Sequence, residues 1–338
     1  MLGPLSEGAH LNVDQAHAAM SEILAGDASD ARVAGFIVAL RLKGETVGEV
    51  SGMVDAMLEA SEPLDLEDGV IDIVGTGGSP TRRVHALNVS TMAALVAAGA
   101  GVPVCKHGNR KASSTSGSFD LLAELGVVIE LSGEGVARCV REAGIGFAFA
   151  RSFHPAMRFA GPVRAELGIP TVFNLLGPLS HPGGITRQVI GVGDHRVIDL
   201  VAGVLAARGS ERALVVHGSD GLDEITLTGP TTIHQVADGE VTVWQLDPSE
   251  LGLEVRPAEE LRGGDPATNA ELARRVLAGE PGPVRDIVLV NAAAGLWVSG
   301  TVDTIGAGIE AAAAAIDDGR AAATLERVVA VSGEAASA

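Results

Sequence analysis

The residues best suited to chemistry lie between positions 70 and 120, where two short stretches could each hold phosphate. The first is a loop of sequence GTGG at 75–78, which follows an apolar, β-prone run and lets the backbone approach an anion closely. Asn88, Ser90 and Thr91 then lie where an apolar helix begins, and the first N–H groups of a helix attract anions because they have no partner within it. An ordinary N-cap is the alternative role for Asn88 or Ser90, and Ser90 could also face a metal.

The second stretch, a cationic segment at 105–118, contains three cations and five hydroxyl residues. Such a set could cradle a highly charged ligand such as diphosphate. It follows a predicted strand, and α/β folds bind their ligands at the ends of strands. A solvated surface loop is the alternative, although basic residues stand out in a chain whose formal net charge is −19.

Two further groups of side chains could complete such a site. Asp223 and Glu224 follow an apolar strand, and paired carboxylates suit Mg²⁺, which prefers oxygen ligands and shares them with phosphates. The alternative for this pair is a solvated acidic surface. Arg164 could bind a carboxylate through two parallel hydrogen bonds from its planar guanidinium, and a surface salt bridge with Glu166 is its alternative role.

The elements that must position these residues change character near residue 70. Before it, apolar spacing predicts helices at 13–25, 29–43 and 47–59, the last opened by Thr46 and Glu49 in a capping-box spacing. After it, apolar strands alternate with helical runs, which predicts a largely parallel sheet. The predicted strands lie near 71–74, 102–105, 127–130, 145–149, 189–192, 212–217 and 286–290. Asp238-Gly239 between alternating runs predicts an antiparallel hairpin at 231–246, and the last six residues resemble a frayed tail.

The predicted fold class is therefore α/β, with a small N-terminal helical domain plus a larger α/β domain that has a mainly parallel central sheet flanked by helices. We expect the helical domain to comprise 1–66 with a returning helical segment near 155–180. The α/β domain, which would bind the phosphorylated ligand, is expected to comprise 70–154 and 181–338.

Composition and charge exclude several classes of protein. The 338 residues are 46% hydrophobic and 20% charged, which is typical of a globular chain. The net charge of −19 opposes nonspecific nucleic-acid binding, which needs cations to neutralise phosphates. No apolar run approaches the length of a membrane span and no signal segment is evident, so we expect no membrane partner and a cytoplasmic protein. Cys105 and Cys139 fit neither a disulfide framework nor a zinc cluster and are expected to be reduced and structural.

Five segments, in order, together resemble the anthranilate phosphoribosyltransferase family over nearly the whole chain. They are GTGG at 75–78, NVST at 88–91, KHGNR at 106–110, VRAELGIPTVFNLLGPLSHP at 163–182 and DGLDE at 220–224. The family usually continues its glycine loop with an Asp-Gly pair, whereas this chain has Ser79-Pro80 and a longer loop that carries Arg82 and Arg83. We expect these two arginines to reach the donor phosphates, and the alternative is that they point to solvent on a loop too long to be fixed.

The resemblance implies transfer of a phosphoribosyl group from 5-phosphoribosyl 1-diphosphate to the amine of anthranilate, with release of diphosphate, in tryptophan biosynthesis. It also implies Mg²⁺ as cofactor, a homodimer, and a stiff hinge turn at 175–179 beside the acceptor pocket. An aromatic amine of low basicity is largely unprotonated at neutral pH, so no residue is assigned as a general acid or base. The implied donor-binding residues are Gly75, Thr76, Gly77, Gly78, Asn88, Ser90, Thr91, Lys106 and Ser118. The implied anthranilate-binding residues are His107, Asn109, His154, Arg164, Gly177 and Pro178, and the implied metal ligands are Ser90, Asp223 and Glu224.

Two other classes of protein remain open at this stage. A pyrimidine nucleoside phosphorylase shares this architecture and a similar glycine loop, but it would use inorganic phosphate without Mg²⁺, and the KHGNR and DGLDE segments argue against it. A nucleic-acid-binding relative without catalytic activity should carry a basic face, which this acidic composition does not favour.

Overall fold

A seven-stranded sheet forms the centre of the larger part of the molecule. The computed structural model describes residues 2–77, 87–110 and 115–337. Its strands are β1 (Ile71–Gly75), β2 (Val104–Gly108), β3 (Ile145–Phe149), β4 (Arg187–Gly191), β5 (Arg212–Gly218), β6 (Thr231–Ala237) and β7 (Glu240–Leu246). Their spatial order is β3-β2-β1-β4-β5-β6-β7, with β1 to β5 mutually parallel and β6 and β7 antiparallel. The predicted fold class and the predicted hairpin are therefore confirmed.

Helices cover both faces of this sheet and form the N-terminal region. In chain order they are α1 (Leu2–Ser6), α2 (Val13–Ala25), α3 (Asp30–Lys43), α4 (Val47–Glu59), α5 (Val89–Gly99), α6 (Ser118–Glu124), α7 (Gly133–Ala143), α8 (Ala150–Phe153), α9 (Gly161–Leu167), α10 (Phe173–Leu179), α11 (Ile198–Ala207), α12 (Pro266–Leu277), α13 (Pro283–Ser299), α14 (Ile305–Asp317) and α15 (Arg320–Ala335). Short 3₁₀ turns lie at Pro155–Phe159, His195–Val197, Pro248–Leu251 and Ala258–Leu261. None of the helices in the described part of the chain is both long enough and apolar enough to cross a bilayer.

The N-terminal helices begin where local side-chain chemistry predicts. Asn12 and Gln15 form a reciprocal capping box at the start of α2, and Thr46 and Glu49 form another at the start of α4. The buried Glu49 carboxylate also accepts a hydrogen bond from Lys43 Nζ at 2.8 Å. These bonds satisfy the first N–H groups of each helix, which explains why both helices match their predicted bounds. The short α1 was not predicted.

Two apolar clusters hold the described residues together. One cluster contains Ile71, Ile73 and Leu214 from one sheet face and buries them against helices that include α5, α7, α13 and α15. The other contains Val74 and Ile190 from the opposite face and joins them to α2, α3, α4, α9, α10 and α11. The return of the chain at α9 and α10 to the N-terminal helices accords with the expected domain division, which stays a prediction.

Two of the predicted strands are wrong. Residues 127–130 form no strand: Val127 and Ile129 are buried, but Val128 N donates to Ser332 Oγ of α15 at 3.0 Å and has no strand partner. Residues 286–290 lie in α13, which begins at Pro283 and is buried along most of its length. A short apolar run cannot distinguish a strand from a buried helix, and the proline at the first turn was the missed helix signal.

Three predicted boundaries also need correction. Strand β2 runs on to Gly108, so Lys106 and His107 belong to the strand rather than to the loop after it. The expected stiff turn at 175–179 is part of helix α10, which contains Pro178 in its last turn. Helix α15 continues to Ala335, so the predicted frayed tail is helical over 333–335.

Candidate active site

The carboxyl ends of the parallel strands bring the predicted donor-binding and metal-binding segments together. Gly77 N, just after β1, donates to Asp223 Oδ2 at 3.0 Å, although the two residues are 146 positions apart. A Cβ atom at Gly75 would lie 2.4 Å from the same carboxylate oxygen, so only glycine permits this approach. Thr76 N donates to Gly191 O at 2.8 Å, which fixes the start of the loop to β4. Gly78 and the arginine-bearing loop at 79–85 lie outside the described residues.

The start of α5 lies beside the second acidic side chain. Ser90 N donates to Glu224 Oε1 at 3.2 Å. Thr91 is fully buried, and its Oγ1 has no hydrogen-bond partner among the residues that the structure describes. Asn88 occupies the N-cap position, but its side chain makes no capping bond. Its Oδ1 instead accepts from Ser116 Oγ at 3.0 Å and Asn269 Nδ2 at 2.8 Å, so the ordinary N-cap role is wrong for Asn88.

The acidic pair is buried rather than solvated. Asp223 is 1% exposed and Glu224 is 4% exposed, which overturns the alternative of an acidic surface. Each carboxylate accepts a hydrogen bond from a backbone N–H of a different donor-binding segment. The backbone of Asp223 also packs closely against β4, since a Cβ at Gly191 would lie only 1.7 Å from Asp223 O. Burying two carboxylates is costly unless positive charge or N–H donors face them. The pair therefore holds the glycine loop and the start of α5 at one point.

The oxygen donors at this point suit Mg²⁺ that is shared with phosphate. Ser90 is adjacent to Glu224, and Asp223 and Glu224 are consecutive, so all three predicted ligands lie in one place. Within residues 2–77, 87–110 and 115–337 no cluster of three or more His, Cys, Asp or Glu side chains is arranged to hold a metal by itself. Mg²⁺ characteristically takes one or two carboxylates and completes its shell with water and substrate oxygens. The residues present fit that pattern.

Lys106 is buried against β1, where its partner Ile73 lies two residues before the glycine loop. It is 2% exposed, so a solvated surface position is wrong for this lysine, and its Nζ donates to Ile73 O at 2.5 Å. The loop beyond β2 is held by Asn109 O, which accepts from Ser118 Oγ at 3.2 Å. A Cβ at Gly108 would lie 2.5 Å from that hydroxyl, so β2 and the start of α6 are in close contact. The structure thus brings three predicted residues, Lys106, Asn109 and Ser118, to one end of β2.

Two histidines and the end of α10 form a second, less charged region, which we call the acceptor wall. The rings of His107 and His154 meet edge to face with centres 5.3 Å apart. His107 Nδ1 lies 3.0 Å from Gly177 O, a pure acceptor, so Nδ1 carries the proton and Nε2 presents a lone pair. Pro178 is buried beside Gly177, and a Cβ built on Gly177 would meet no atom of the other described residues within 4 Å outside its own helix turn and chain neighbours.

Burial keeps both histidines of the acceptor wall neutral. It lowers the pKa of His107 well below its usual value, and the neighbouring His154 and His181 rings lower it further. Burial also lowers the pKa of His154 to about 4. Their rings therefore carry no charge at neutral pH.

Arg164 supplies a guanidinium close to the acceptor wall. Its Cζ lies 5.1 Å from the ring centre of Phe173, the first residue of α10, and burial lowers the pKa of the guanidinium. It forms no ion pair with a carboxylate of the described residues, Glu166 included, so the salt-bridge alternative is wrong. A guanidinium that lies on an aromatic face and has no counter-ion among the described residues suits a carboxylate ligand.

Three residues near the acceptor wall were missed from the sequence: His181, Asp72 and Gln188. His181 Nδ1 accepts from Gly183 N at 3.0 Å, so its Nε2–H donates to Cys105 O at 3.0 Å, and its ring centre lies 5.6 Å from that of His107. Asp72 and Gln188 are buried polar residues inside strands whose other residues are mostly apolar, and that signal could have identified them. The buried, structural role expected for Cys105 and Cys139 accords with the structure, and burial raises the pKa of both thiols.

The described chain is similar to known proteins along nearly its whole length. The family described as glycosyl transferase family, a/b domain, matches residues 67–322, and the glycosyl transferase family, helical bundle domain, matches residues 2–61. The chain is 52% identical to the anthranilate phosphoribosyltransferase of Rhodococcus jostii (strain RHA1) over 97% of this chain and 91% of that protein. It is 50% identical to the corresponding protein of Arthrobacter sp. (strain FB24) over 98% of this chain and 95% of that protein.

Solved structures agree with these relatives. The anthranilate phosphoribosyltransferase of Thermus thermophilus superposes with a TM-score of 0.92 at 45% identity, covering 98% of this chain and 99% of that chain. The anthranilate phosphoribosyltransferase of Saccharomyces cerevisiae in complex with PRPP and Mg superposes with a TM-score of 0.87 at 31% identity, covering 96% of this chain and 94% of that chain. This chain therefore belongs to the anthranilate phosphoribosyltransferase family.

Proposed function

We propose that this protein transfers the phosphoribosyl group of 5-phosphoribosyl 1-diphosphate to the amine of anthranilate, releases diphosphate, and serves tryptophan biosynthesis. The observation that carries the proposal is the junction of the glycine loop, the start of α5 and two buried carboxylates at one point. The yeast relative that is solved with PRPP and Mg supports the identity of the donor and the use of a metal. The relatives at about half identity support the acceptor.

The donor is proposed to lie across the carboxyl ends of β1 and β2. Glycine loops and helix starts are segments that commonly bind anions, because the backbone can approach closely and the helix dipole places positive charge at its start. Gly77 N and Ser90 N already bind the Asp223 and Glu224 carboxylates, so the helix dipole of α5, rather than a free N–H of these two residues, is proposed to attract the anion. Lys106 adds positive charge against β1. Thr91 Oγ1, buried and without a described partner, and Ser118 at the start of α6 add hydroxyl groups.

Mg²⁺ is proposed to bind between Asp223, Glu224 and Ser90, together with diphosphate oxygens. When bound, the metal would neutralise the negative charge that develops on the departing diphosphate. The two carboxylates supply the negative charge that attracts the cation. Their bonds to Gly77 N and Ser90 N keep them in place before the ligand arrives.

Anthranilate is proposed to lie against the acceptor wall, with its carboxylate on Arg164. The guanidinium can form two parallel hydrogen bonds with that carboxylate, and Asn109 at the end of β2 can add an amide. Neutral His107 and His154 offer polar contacts without placing charge beside the aromatic ring or repelling the sugar cation that develops. Because the amine already carries a free electron pair, the protein has mainly to hold it against the anomeric carbon and to exclude water.

A direct assay tests this proposal. Purified protein is mixed with 5-phosphoribosyl 1-diphosphate, anthranilate and Mg²⁺, and the loss of anthranilate fluorescence is followed over time. We expect Mg²⁺-dependent turnover with release of one diphosphate per anthranilate consumed. Turnover of a pyrimidine nucleoside with inorganic phosphate, without anthranilate consumption, would instead establish the phosphorylase alternative.

Other features of the proposal concern the whole protein. We retain the homodimer, the cytoplasmic location and the division into a helical and an α/β domain as predictions. Analytical ultracentrifugation of the purified chain tests the first of them, with a mass of twice 34.2 kDa as the expected result.

A further inference from the structure

A buried polar pair lies under the acceptor wall and has no part in the contacts proposed above. Gln188 lies inside β4, and Asp72 is its aligned neighbour on β1. Both are buried, and both stand in the parallel core of the sheet, where apolar side chains are usual. A buried amide or carboxylate destabilises the fold unless it is hydrogen-bonded, so the contacts of this pair indicate what it does.

Gln188 binds the end of helix α10. Its Nε2 donates to Pro178 O at 3.2 Å, while His107 Nδ1 binds the preceding carbonyl, Gly177 O, at 3.0 Å. Both carbonyls belong to the last turn of α10, where a helix leaves carbonyls short of N–H partners, although Gly177 O also accepts a long bond from Ser180 N at 3.3 Å. Two consecutive carbonyls are thus bound from two different strands, β4 and β2. Two such anchors fix both the distance of the helix end from the sheet and its rotation.

Asp72 also contacts the acceptor wall, through the backbone of His107. Its Oδ1 accepts a hydrogen bond from His107 N at 3.2 Å, so it holds the backbone of the same histidine whose ring binds Gly177. Its Oδ2 makes no hydrogen bond of good geometry with the described residues, and the Gln188 amide, whose Nε2 donates to Pro178 O, lies nearby. The pair therefore contacts the acceptor wall from two sides.

We propose that Gln188, supported by Asp72, is a positioning residue for the acceptor: it sets the separation between His107 and the Gly177–Pro178 segment. This inference rests on the proposed function, because it assigns that segment to the acceptor pocket. If the side chain of Gln188 only filled space in the core, an apolar residue of the same length would serve equally well. The two carbonyl anchors instead require a donor at this position.

The test is Gln188→Met, which keeps the length of the side chain and removes its N–H donors. We expect the Michaelis constant for anthranilate to rise about tenfold, equivalent to about 1.4 kcal/mol, while the constant for the phosphoribosyl donor and kcat stay within about twofold. The matched control is Gln235→Met on β6, two strands from β4, where the side chain accepts a bond from Trp244 Nε1 at 3.3 Å. The control should leave both constants unchanged. Equal rises for both substrates, or no rise for anthranilate, would overturn the positioning role.

A second pair of variants addresses Asp72. Asp72→Asn keeps an oxygen that can accept from His107 N, so it should retain the wild-type constant for anthranilate within about threefold. Asp72→Leu removes that acceptor and should raise the constant as Gln188→Met does. An Asn variant as impaired as the Leu variant would contradict a positioning role that depends on this bond.

Hydrogen exchange separates this inference from the proposed function. If the wild-type protein fails to consume anthranilate, the proposed function is wrong. Amide exchange of residues 173–181 still reports how firmly α10 is held, and it should be faster in Gln188→Met than in Gln235→Met. Equal exchange in the two variants would overturn the inference by itself.

Discussion

The two halves of the candidate site differ in how they handle charge. The donor half buries ionisable groups of both signs, namely the Asp223 and Glu224 carboxylates and the Lys106 ammonium. The acceptor half contains neutral histidines, a proline and one guanidinium that lies on an aromatic ring. The difference corresponds to the proposed ligands, since a diphosphate with Mg²⁺ brings many charges and anthranilate brings one carboxylate. It also predicts that variants in each half will affect one substrate and leave the other nearly unaffected.

The largest effect is expected from removing charge in the donor half. Asp223→Asn combined with Glu224→Gln keeps the shape of both side chains and removes their attraction for a cation, so turnover should fall about 100-fold or more, because metal charge stabilisation is worth several kcal/mol. The measurement is the initial rate of anthranilate consumption across a titration of Mg²⁺.

A second adjacent acidic pair provides the control for that experiment. Glu259 and Glu260 are exposed, and their change to Gln should leave the Mg²⁺ dependence unaltered. Near-normal activity of the Asp223→Asn, Glu224→Gln variant at ordinary Mg²⁺ would show that the metal is held elsewhere, and the contrast between the two halves would then be lost.

A smaller effect, confined to the other substrate, is expected in the acceptor half. Arg164→Ala removes the only guanidinium that we assign to the anthranilate carboxylate, at a cost of about 1.5 to 3 kcal/mol, or roughly 10- to 150-fold in the Michaelis constant for anthranilate. The constant for the donor should change little. Arg158→Ala is the matched control, because Arg158 also lies on an aromatic ring, that of Phe159 at 4.4 Å, but has no assigned ligand. Equal losses for both substrates would make Arg164 a structural residue.

The sequence predicted the two halves unequally. The GTGG loop, the start of α5 and the acidic pair are short segments with strong local chemistry, and the family resemblance alone predicts that they share one site. The burial of these side chains could not be predicted from the local sequence. Asp223 and Glu224 resemble surface acids in an acidic chain, and Lys106 resembles part of a solvated loop, yet all three are buried. Their burial depends on partners more than 30 positions away, such as Ile73 O for Lys106.

The missed residues have the same explanation. Asp72 and Gln188 are single polar residues inside apolar strands, and their meaning appears only when β1 and β4 align and α10 packs above them. The false strand at 286–290 came from a run of four apolar residues, 287–290, that is equally compatible with a buried helix. By contrast, α2 and α4 were predicted to the residue because capping boxes are local.

The boundary between the halves can be tested through Asp72. Burial raises the pKa of this carboxyl to about 7 in the folded protein, even though Lys106 and the hydrogen bonds of the site lower it, whereas its usual value is 3.8. The folded state therefore binds one more proton than the unfolded state between these two values, so this group's contribution to stability is full below about pH 4 and is lost as the pH rises through about 7.

Asp72→Asn removes this titration and keeps the shape. The free energy of unfolding of the wild type minus that of the variant should fall by about 2 to 3 kcal/mol between pH 5 and pH 7.5, and then level off. Urea unfolding of both proteins at several pH values measures it. A difference that does not change with pH would mean that Asp72 is ionised in the folded protein throughout.

The smallest expected effect is that the Michaelis constant for anthranilate does not change with pH. This result would distinguish the neutral acceptor half from the charged donor half most directly. Burial lowers the pKa of His107 and sets that of His154 to about 4, so neither ring should gain charge between pH 8 and pH 6, whereas an ordinary histidine with a pKa near 6.5 would. The Asp72→Asn variant is the right background, because it removes a carboxyl that lies beneath the acceptor wall and titrates in this range. Its Michaelis constant for anthranilate should stay within about twofold over this interval, while the constant for the donor should change, since phosphate groups titrate near pH 6. A change in the anthranilate constant with a midpoint near pH 6.5 would mean that a histidine of the acceptor wall is accessible to protons, and that this half of the site is not the neutral environment that its burial indicates.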